Sequence, residues 1–524
     1  MEEFFVSYAV ICDDDEIERE ARDLVLEQTV EVPESLITDP DIRERVVGRV
    51  DAIAPAGDRR WQVRAAYRTA LACGQIPQLL NLLYGNISIK KHIRLESVDW
   101  PASLLDRFPG PNWGVDGLRR RLGVYDRPLL ATAIKPRGAS NQQFAAIAGA
   151  FALAGGDLIK DDHNLADCDL EAFRARVGLC QEAVDRANAR TGRATIYAPN
   201  LSVPIEQLER RLDVLVRLGV GGVMIAPYIL GLDALRGIAA RYPFVLIAHP
   251  TFSGAYYRGA EHGIAPELAI GDLMRICGAD ISIFPHHGGR FALTPDECRG
   301  IGAALRRPLG RMRPAFPAPA GGMKLDRVAS MAETYGLDTV FLVGGALLSH
   351  DGGVAAGATA FLDAIRAHFG ERLETPQTDL PGACDLDGEP TRADAAEHLP
   401  FDPTAHAWAA RPAVAYKASA ELPFQGVARH ELIGMHGEKT DFHLRYFEVA
   451  PGGFTSLERH HHTHTVIAVR GRGLLIQGDE RRPLAPLDIA YIPPMAVHQL
   501  RNETDEPFGF FCIVDARRDR PIAP

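Results

Sequence analysis

Four ionisable side chains stand in a row at Lys160-Asp161-Asp162-His163, directly after the apolar run Gly155-Gly156-Asp157-Leu158-Ile159. An amine, two carboxylates and an imidazole in one place can exchange protons with a substrate or hold a divalent cation. A hydrophobic strand gains nothing by ending in four such groups, so a purely structural role fits them poorly.

The elements that must position them can be read from the surrounding pattern. From about residue 126 to 370, strand-like runs alternate with amphipathic helical patterns roughly every 25–35 residues, the mark of a parallel α/β domain. Eight such runs lie at 128–134, 157–160, 194–198, 221–226, 244–248, 280–284, 313–318 and 339–343. Eight units favour a closed (β/α)8 barrel over an open doubly wound sheet, for which about five or six strands are expected. The runs are followed by Lys135-Pro136-Arg137, Asp161-Asp162-His163, Pro199-Asn200, Pro227-Tyr228, His249-Pro250, His286-His287-Gly288-Gly289-Arg290, Gly321-Gly322 and Gly344-Gly345. A barrel does its chemistry at these C-terminal strand ends.

Glycine lets backbone N–H groups approach a phosphate closely, and barrels usually build such a site after strands seven and eight. Gly321, Gly322, Gly344 and Gly345 are therefore expected to bind phosphate. Removing a proton next to a carbonyl requires a base and something to hold the resulting oxyanion. Lys135, its pKa lowered by a nearby cation, is the candidate for the first, and a divalent metal acting as a Lewis acid for the second.

At 524 residues the chain is too long for one core, and 46% hydrophobic with 24% charged residues is ordinary for a globular protein. The formal net charge of −11 argues against nucleic acid or an anionic membrane as a general partner. Eight cysteines form no CxxC pair, the start of the chain lacks a basic signal-peptide region, and no apolar run is long enough to span a bilayer. A cytoplasmic protein is expected. Residues 1–125 mix short strands with helices, as at 17–26 and 60–71; residues 126–370 form the barrel; residues 371–405, rich in Pro, Asp, Glu and Thr, read as a linker. Residues 406–524 turn to short strands with Gly/Pro turns, such as 442–449, 465–469 and 489–492, and read as a small all-β barrel or jelly roll.

The stretch from Glu27 to about residue 370, roughly two thirds of the chain, resembles the RuBisCO large-subunit superfamily, and specifically the RuBisCO-like proteins that do not fix carbon dioxide. Gly-Gly-Asp-Leu-Ile-Lys-Asp-Asp is similar to the family's metal loop. The resemblance implies that Lys160 becomes a carbamate and that Asp162 binds metal, magnesium or another divalent ion. Thr132-Ala133-Ile134-Lys135-Pro136-Arg137 looks like the first-strand motif, which implies an acid/base role for Lys135 on an enediolate and places Arg137 beside it. Gly85-Asn86 resembles the pair that reaches into the partner subunit's site, with Glu27 matching the acidic residue there, so a homodimer or higher oligomer with shared sites is implied. His249 falls at the fifth-strand histidine. His163 departs from the pattern by standing where the family has a glutamate ligand, which suits magnesium less well. If no metal binds, Lys160 stays an amine paired with Asp162. The sixth-strand loop lacks the carboxylase's lid lysine, Arg290 being nearest, so a carboxylase is not expected.

In the C-terminal part, Glu458-Arg459-His460-His461-His462-Thr463-His464, then Gly471 and His498, resemble the two cupin motifs. Strand residues of even separation share a face, so Glu458, His460, His462 and His464 can converge. The motif spacing favours Glu458, His460 and His464 as ligands, with His498 from the second motif. Imidazole-rich ligation suits manganese, iron or zinc over magnesium.

The resemblance implies enolisation of a small phosphorylated sugar. The leading expectation is an isomerase that converts 5-methylthioribulose 1-phosphate into 1-methylthioxylulose 5-phosphate, with the cupin removing the methylthio group. A second is cleavage or transfer at a carbon–carbon bond of a phosphorylated 3-oxo acid. A third makes the cupin a sensor or oligomerisation module without turnover.

Overall fold

The computed structural model describes residues 2–289, 291, 293–373, 398–403, 406–416, 423–436, 440, 442–459, 463–478, 480–493 and 495–515. Arg290, His460 and most of the 371–405 segment lie outside these residues. Two compact units divide the chain, residues 1–378 and 379–524.

The first unit opens with a five-stranded sheet in the order Gly263–Ile264, Ile93–Asp99, Glu3–Ile11, Arg60–Arg68, Arg49–Gly57. Alternation of buried and part-exposed residues along Glu3–Ile11 leaves one face to pack on the helices Ile17–Thr29 and Ile76–Tyr84. Its edge strand Gly263–Ile264 belongs to the loop after the fifth barrel strand and pairs in parallel with Ile93–Asp99. Trp100 Nε1 adds a 2.8 Å bond to Asp272 Oδ2. The N-terminal sheet and the barrel are therefore stitched together by backbone.

All eight barrel strands are present: Leu129–Ile134, Leu158–Asp161, Ile196–Ala198, Gly222–Ile225, Val245–Ala248, Ile281–Pro285, Phe316–Ala320 and Val340–Val343. Parallel ladders join the eighth to the first, second and third, and the fourth through the seventh; an Asn200–Met224 bridge links the two arcs. Side chains alternate as a pleated strand dictates. Leu129, Ala131, Leu158, Ile196, Ala198, Met224, Val245, Ile247, Ile281, Ile283, Phe316, Ala318, Val340 and Leu342 fill the barrel interior. Leu130, Ile159, Tyr197, Val223, Leu246, Phe284 and Phe341 face outward into the larger core beneath the helices. The helix Gly114–Leu122 closes the lower end, with Val115, Leu118 and Leu122 packed into the interior. The last helix, Gly353–Leu373, runs three residues into the segment expected to be linker. No helix among the described residues is long and apolar enough to cross a membrane.

The second unit carries a largely antiparallel sheet in the order Glu480–Leu484, Gly473–Gln477, Gln499–Arg501, Phe442–Phe454, Phe508–Asp515, His464–Arg470, Ile489–Ile492, with Gln425–Ile433 also paired to Phe442–Phe454. Its core holds Phe447, Val449, Val466, Ala468, Leu475, Leu500, Phe508, Phe510, Cys512 and Val514, again at every second position.

Candidate active site at the barrel mouth

The inward-facing parity of each strand carries on past its end and selects the residues that meet at the mouth. Lys135 lies four residues beyond Ala131, Lys160 and Asp162 continue Leu158, His249 continues Ile247, and Gly344 continues Leu342. All line one cavity of about 1450 Å³, together with His163, Gly321, Gly322 and Gly345. Thr251, Lys324, Ser349, His350 and Asp351 line it too, and sequence reasoning missed them. They lie in the fifth-, seventh- and eighth-strand loops, within a few residues of His249 or the glycine pairs, and that proximity was the available signal.

Lys160 is 5% exposed, and its amine donates to the Asp161 carbonyl oxygen at 2.9 Å. Burial pushes its pKa down to about 8, against the attraction of Asp162, so a minor neutral fraction, about a tenth, exists at pH 7. Asp162 faces the cavity, 3.2 Å from Lys135 Nζ and 3.4 Å from His163 Nδ1. Burial opposes ionisation of its carboxyl. The Asn164 N–H and the neighbouring cations outweigh that and hold its pKa below the usual range.

Asp161, next in sequence, points the other way. It is fully buried and accepts from Tyr197 Oη at 2.6 Å and the Asn200 N–H at 2.9 Å, beside Arg176 Nη1 at 2.9 Å. Asn200 Nδ2 in turn donates to the carbonyls of His163 and Leu165, each at 3.2 Å.

His163 stacks on His249, with ring centroids 4.6 Å apart and planes 15° apart. Burial lowers both imidazoles, His249 to about 2, so the His249 ring is neutral. The Thr251 N–H donates to His249 Nδ1 at 3.1 Å. In the neutral ring the proton therefore sits on Nε2, which makes His249 a hydrogen-bond donor to whatever it faces.

Three expected residues are not among those lining the cavity. Arg137 is exposed in the loop after the first strand. Asn86 Nδ2 donates to Glu27 Oε1 at 2.9 Å and to Glu31 Oε1 at 3.1 Å, an exposed cluster on the N-terminal sheet domain. Glu27 and Asn86 thus come together, away from the cavity of their own chain.

In the second unit, Glu458 and His498 form an antiparallel bridge, each N–H donating to the other's carbonyl at 3.1 and 2.9 Å. Both are buried, as is His464, whose ring lies 5.2 Å from that of His498. His498 Nδ1 lies 2.9 Å from the Ala496 carbonyl; donation there leaves Nε2 with the lone pair of the neutral ring, the second contact that orients a ligating imidazole. Ser456 Oγ donates to Glu458 Oε2 at 2.5 Å. Among the described residues no group of three or more His, Cys, Asp or Glu is arranged to hold a metal.

An eight-stranded parallel barrel joined to an N-terminal sheet domain, with lysines, a carboxylate and imidazoles at its mouth, defines a class of barrel enzymes. Residues 114–290 match the model for the ribulose bisphosphate carboxylase large chain, catalytic domain, and residues 445–514 that for the cupin domain. The chain is 40% identical over 368 residues to ribulose bisphosphate carboxylase-like protein 1 of Rhodopseudomonas palustris, covering 70% of this chain and 98% of that one. It is 39% identical to a 5-methylthioribulose-1-phosphate isomerase of Rhodospirillum rubrum, covering 67% and 92%. A solved RuBisCO-like protein from Rhodopseudomonas palustris superposes with a TM-score of 0.63 at 36% identity, covering 70% of this chain and 99% of that one. Another from Alicyclobacillus acidocaldarius gives 0.66 at 32%, covering 71% and 94%. The chain belongs to the RuBisCO-like proteins and carries a cupin domain after the barrel.

Proposed function

We propose that the barrel isomerises a phosphorylated keto sugar by enolisation, with 5-methylthioribulose 1-phosphate as substrate, and that the cupin removes the methylthio group from the product. The observation that carries the reading is the single cavity lined by Lys135, Lys160, Asp162, His249 and both glycine pairs. The Rhodospirillum rubrum isomerase supports the substrate, at 39% identity against 32% for a 2,3-diketo-5-methylthiopentyl-1-phosphate enolase of Geobacillus kaustophilus.

With Lys160 as an amine, two lysines flank one cavity-facing carboxylate, a constellation that attracts anions. The neutral fraction of Lys160 is the species that would add carbon dioxide, releasing a proton to solvent and leaving an anionic carbamate where the ammonium form carries a positive charge. In that form Lys160, Asp162 and His163 fit a divalent cation, which would supply Lewis-acid polarisation of the substrate carbonyl.

The remaining work belongs to side chains and backbone. Backbone N–H groups at Gly321–Gly322 and Gly344–Gly345 hold the phosphate. Lys135 Nζ takes the carbon-bound proton beside the carbonyl, exchanges it with solvent as an ammonium, and delivers a proton to the former carbonyl carbon. His249 Nε2–H donates to the oxygen on which charge develops. Two such enolisations move the carbonyl two carbons along the chain and leave the skeleton intact.

The test incubates the full chain with 5-methylthioribulose 1-phosphate in deuterated water. An unbroken carbon skeleton with solvent deuterium at carbon is the expected result. A two-fragment product would replace this reading with carbon–carbon cleavage. Unlabelled, unconverted substrate would remove it.

A further inference from the structure

The cavity has an apolar sector that the chemistry above does not use. Pro250, Phe252 and Tyr257 follow the fifth strand, Phe291 and Leu293 the sixth, and Met323 the seventh. Tyr257, Leu293 and Met323 are nearly buried, at 4%, 4% and 7% exposure, and form a floor. Phe252 and Phe291 are 64% and 62% exposed. Phe252 also has a φ of 68°, the left-handed region that a non-glycine residue adopts at a steric cost. Neither packing nor local backbone preference accounts for a phenylalanine held there. An apolar partner that covers it does.

The ring order of the barrel gives this wall a direction. Lys135, Lys160 and Asp162 come from strands one and two, and the glycine pairs from strands seven and eight. The fifth and sixth strands stand on the far side from the first and second. A substrate whose phosphate sits in the glycine nest and whose carbonyl meets Lys135 thus has a separate, largely apolar wall left for the rest of its chain, with Arg258 the charged residue in the same fifth-strand loop. We infer that Phe252 and Phe291 are specificity-determining residues that receive an apolar terminal substituent of the phosphorylated substrate, such as a thioether, and disfavour a hydroxyl there. A hydroxyl set against the Phe252 and Phe291 rings would lose its water without gaining a hydrogen-bond partner from either ring. The inference rests on the sugar-phosphate reading and adds which end of the molecule is selected, and by which residues.

Calorimetric titration of the full chain with two non-reacting pentitol 1-phosphates, one with a hydroxyl and one with a methylthio group at C5, tests it. Wild type should bind the methylthio compound at least about tenfold more tightly. Phe252→Ser combined with Phe291→Ser should bring that ratio close to one, and Phe252→Leu should keep most of it. Equal affinities in wild type, or a ratio untouched by the double serine variant, would overturn the apolar subsite while leaving the sugar-phosphate site standing. Failure of both compounds to bind wild type would overturn the two together.

Discussion

Asp161 and Asp162 are adjacent in sequence and face opposite sides of the barrel wall: Asp161 lies 2.9 Å from Arg176 under the helices, and Asp162 lies 3.2 Å from Lys135 at the mouth. Their separation follows from the two-residue period of the strand that ends there, Leu158–Asp161. One carboxylate anchors the strand and the other lines the cavity.

Substituting each in turn should separate these duties. Asp161→Asn leaves the buried Arg176 guanidinium with Asp167 as its remaining carboxylate and weakens the Tyr197 and Asn200 contacts. It should cost about 3 kcal/mol in stability, read as a lower urea midpoint. Asp162→Asn should stay within about 1 kcal/mol of wild type yet lose turnover by about 100-fold or more. Equal stability losses in the two variants would contradict the division.

Much of this was legible in the sequence, because the eight apolar runs and their polar endings carry the barrel's periodicity directly. The observed strands fall at all eight expected places, and Lys135, Lys160, Asp162, His249 and the glycine pairs share one cavity. The N-terminal boundary was less readable. The strand Gly263–Ile264 crosses from a barrel loop into the N-terminal sheet, a long-range pairing that leaves no local pattern. The inward or outward fate of Asp161 could have been read by counting alternate residues from Leu158. The strained placement of Phe252 could not, since its left-handed φ appears only in three dimensions. Two expected contacts, those of Arg290 and His460, fall outside the described residues.

Acid stability should report on His286. Its ring is buried against Tyr335, with Nδ1 3.1 Å from the phenol oxygen, and burial lowers its pKa to about 4. The unfolded chain protonates this imidazole from about pH 6.5 downward, while the folded chain does so only near pH 4. Below pH 6.5 the unfolded state therefore binds more protons, and stability falls as pH drops through that window, by on the order of 3 kcal/mol in all. His286→Asn should flatten this limb of the urea-midpoint profile relative to wild type. An unchanged slope between pH 6.5 and 4.5 would mean that His286 titrates normally in the fold.

Metal content should divide between the two units. Lys160→Met removes the ligand proposed for the barrel, so an ion retained by that variant is expected in the cupin. In that background His498→Ala deletes an imidazole held by the Ala496 carbonyl opposite Glu458. It should lower cupin metal affinity at least about tenfold in equilibrium dialysis with elemental analysis. His460→Ala should do the same. In an otherwise wild-type chain, both should let the methylthio product of the barrel accumulate. Lost metal with unchanged products would make the cupin a non-catalytic module, and retained metal would remove His460 and His498 from the ligand set.

Shared sites make a sharper demand. Glu27 and Asn86 sit together but away from their own chain's cavity, so Asn86 acts, if it touches substrate, on a neighbouring copy. An Asn86→Ala chain and a Lys160→Met chain should each be nearly inactive alone. When the two are co-expressed and assort randomly into two-fold dimers, half the dimers are mixed, and each mixed dimer contains one site with both residues intact. About a quarter of wild-type activity should then return. Turnover by the Asn86→Ala chain alone at near wild-type rate, or no recovery in the mixture, would place the whole site within one subunit, because complementation requires that the two residues meet from different chains.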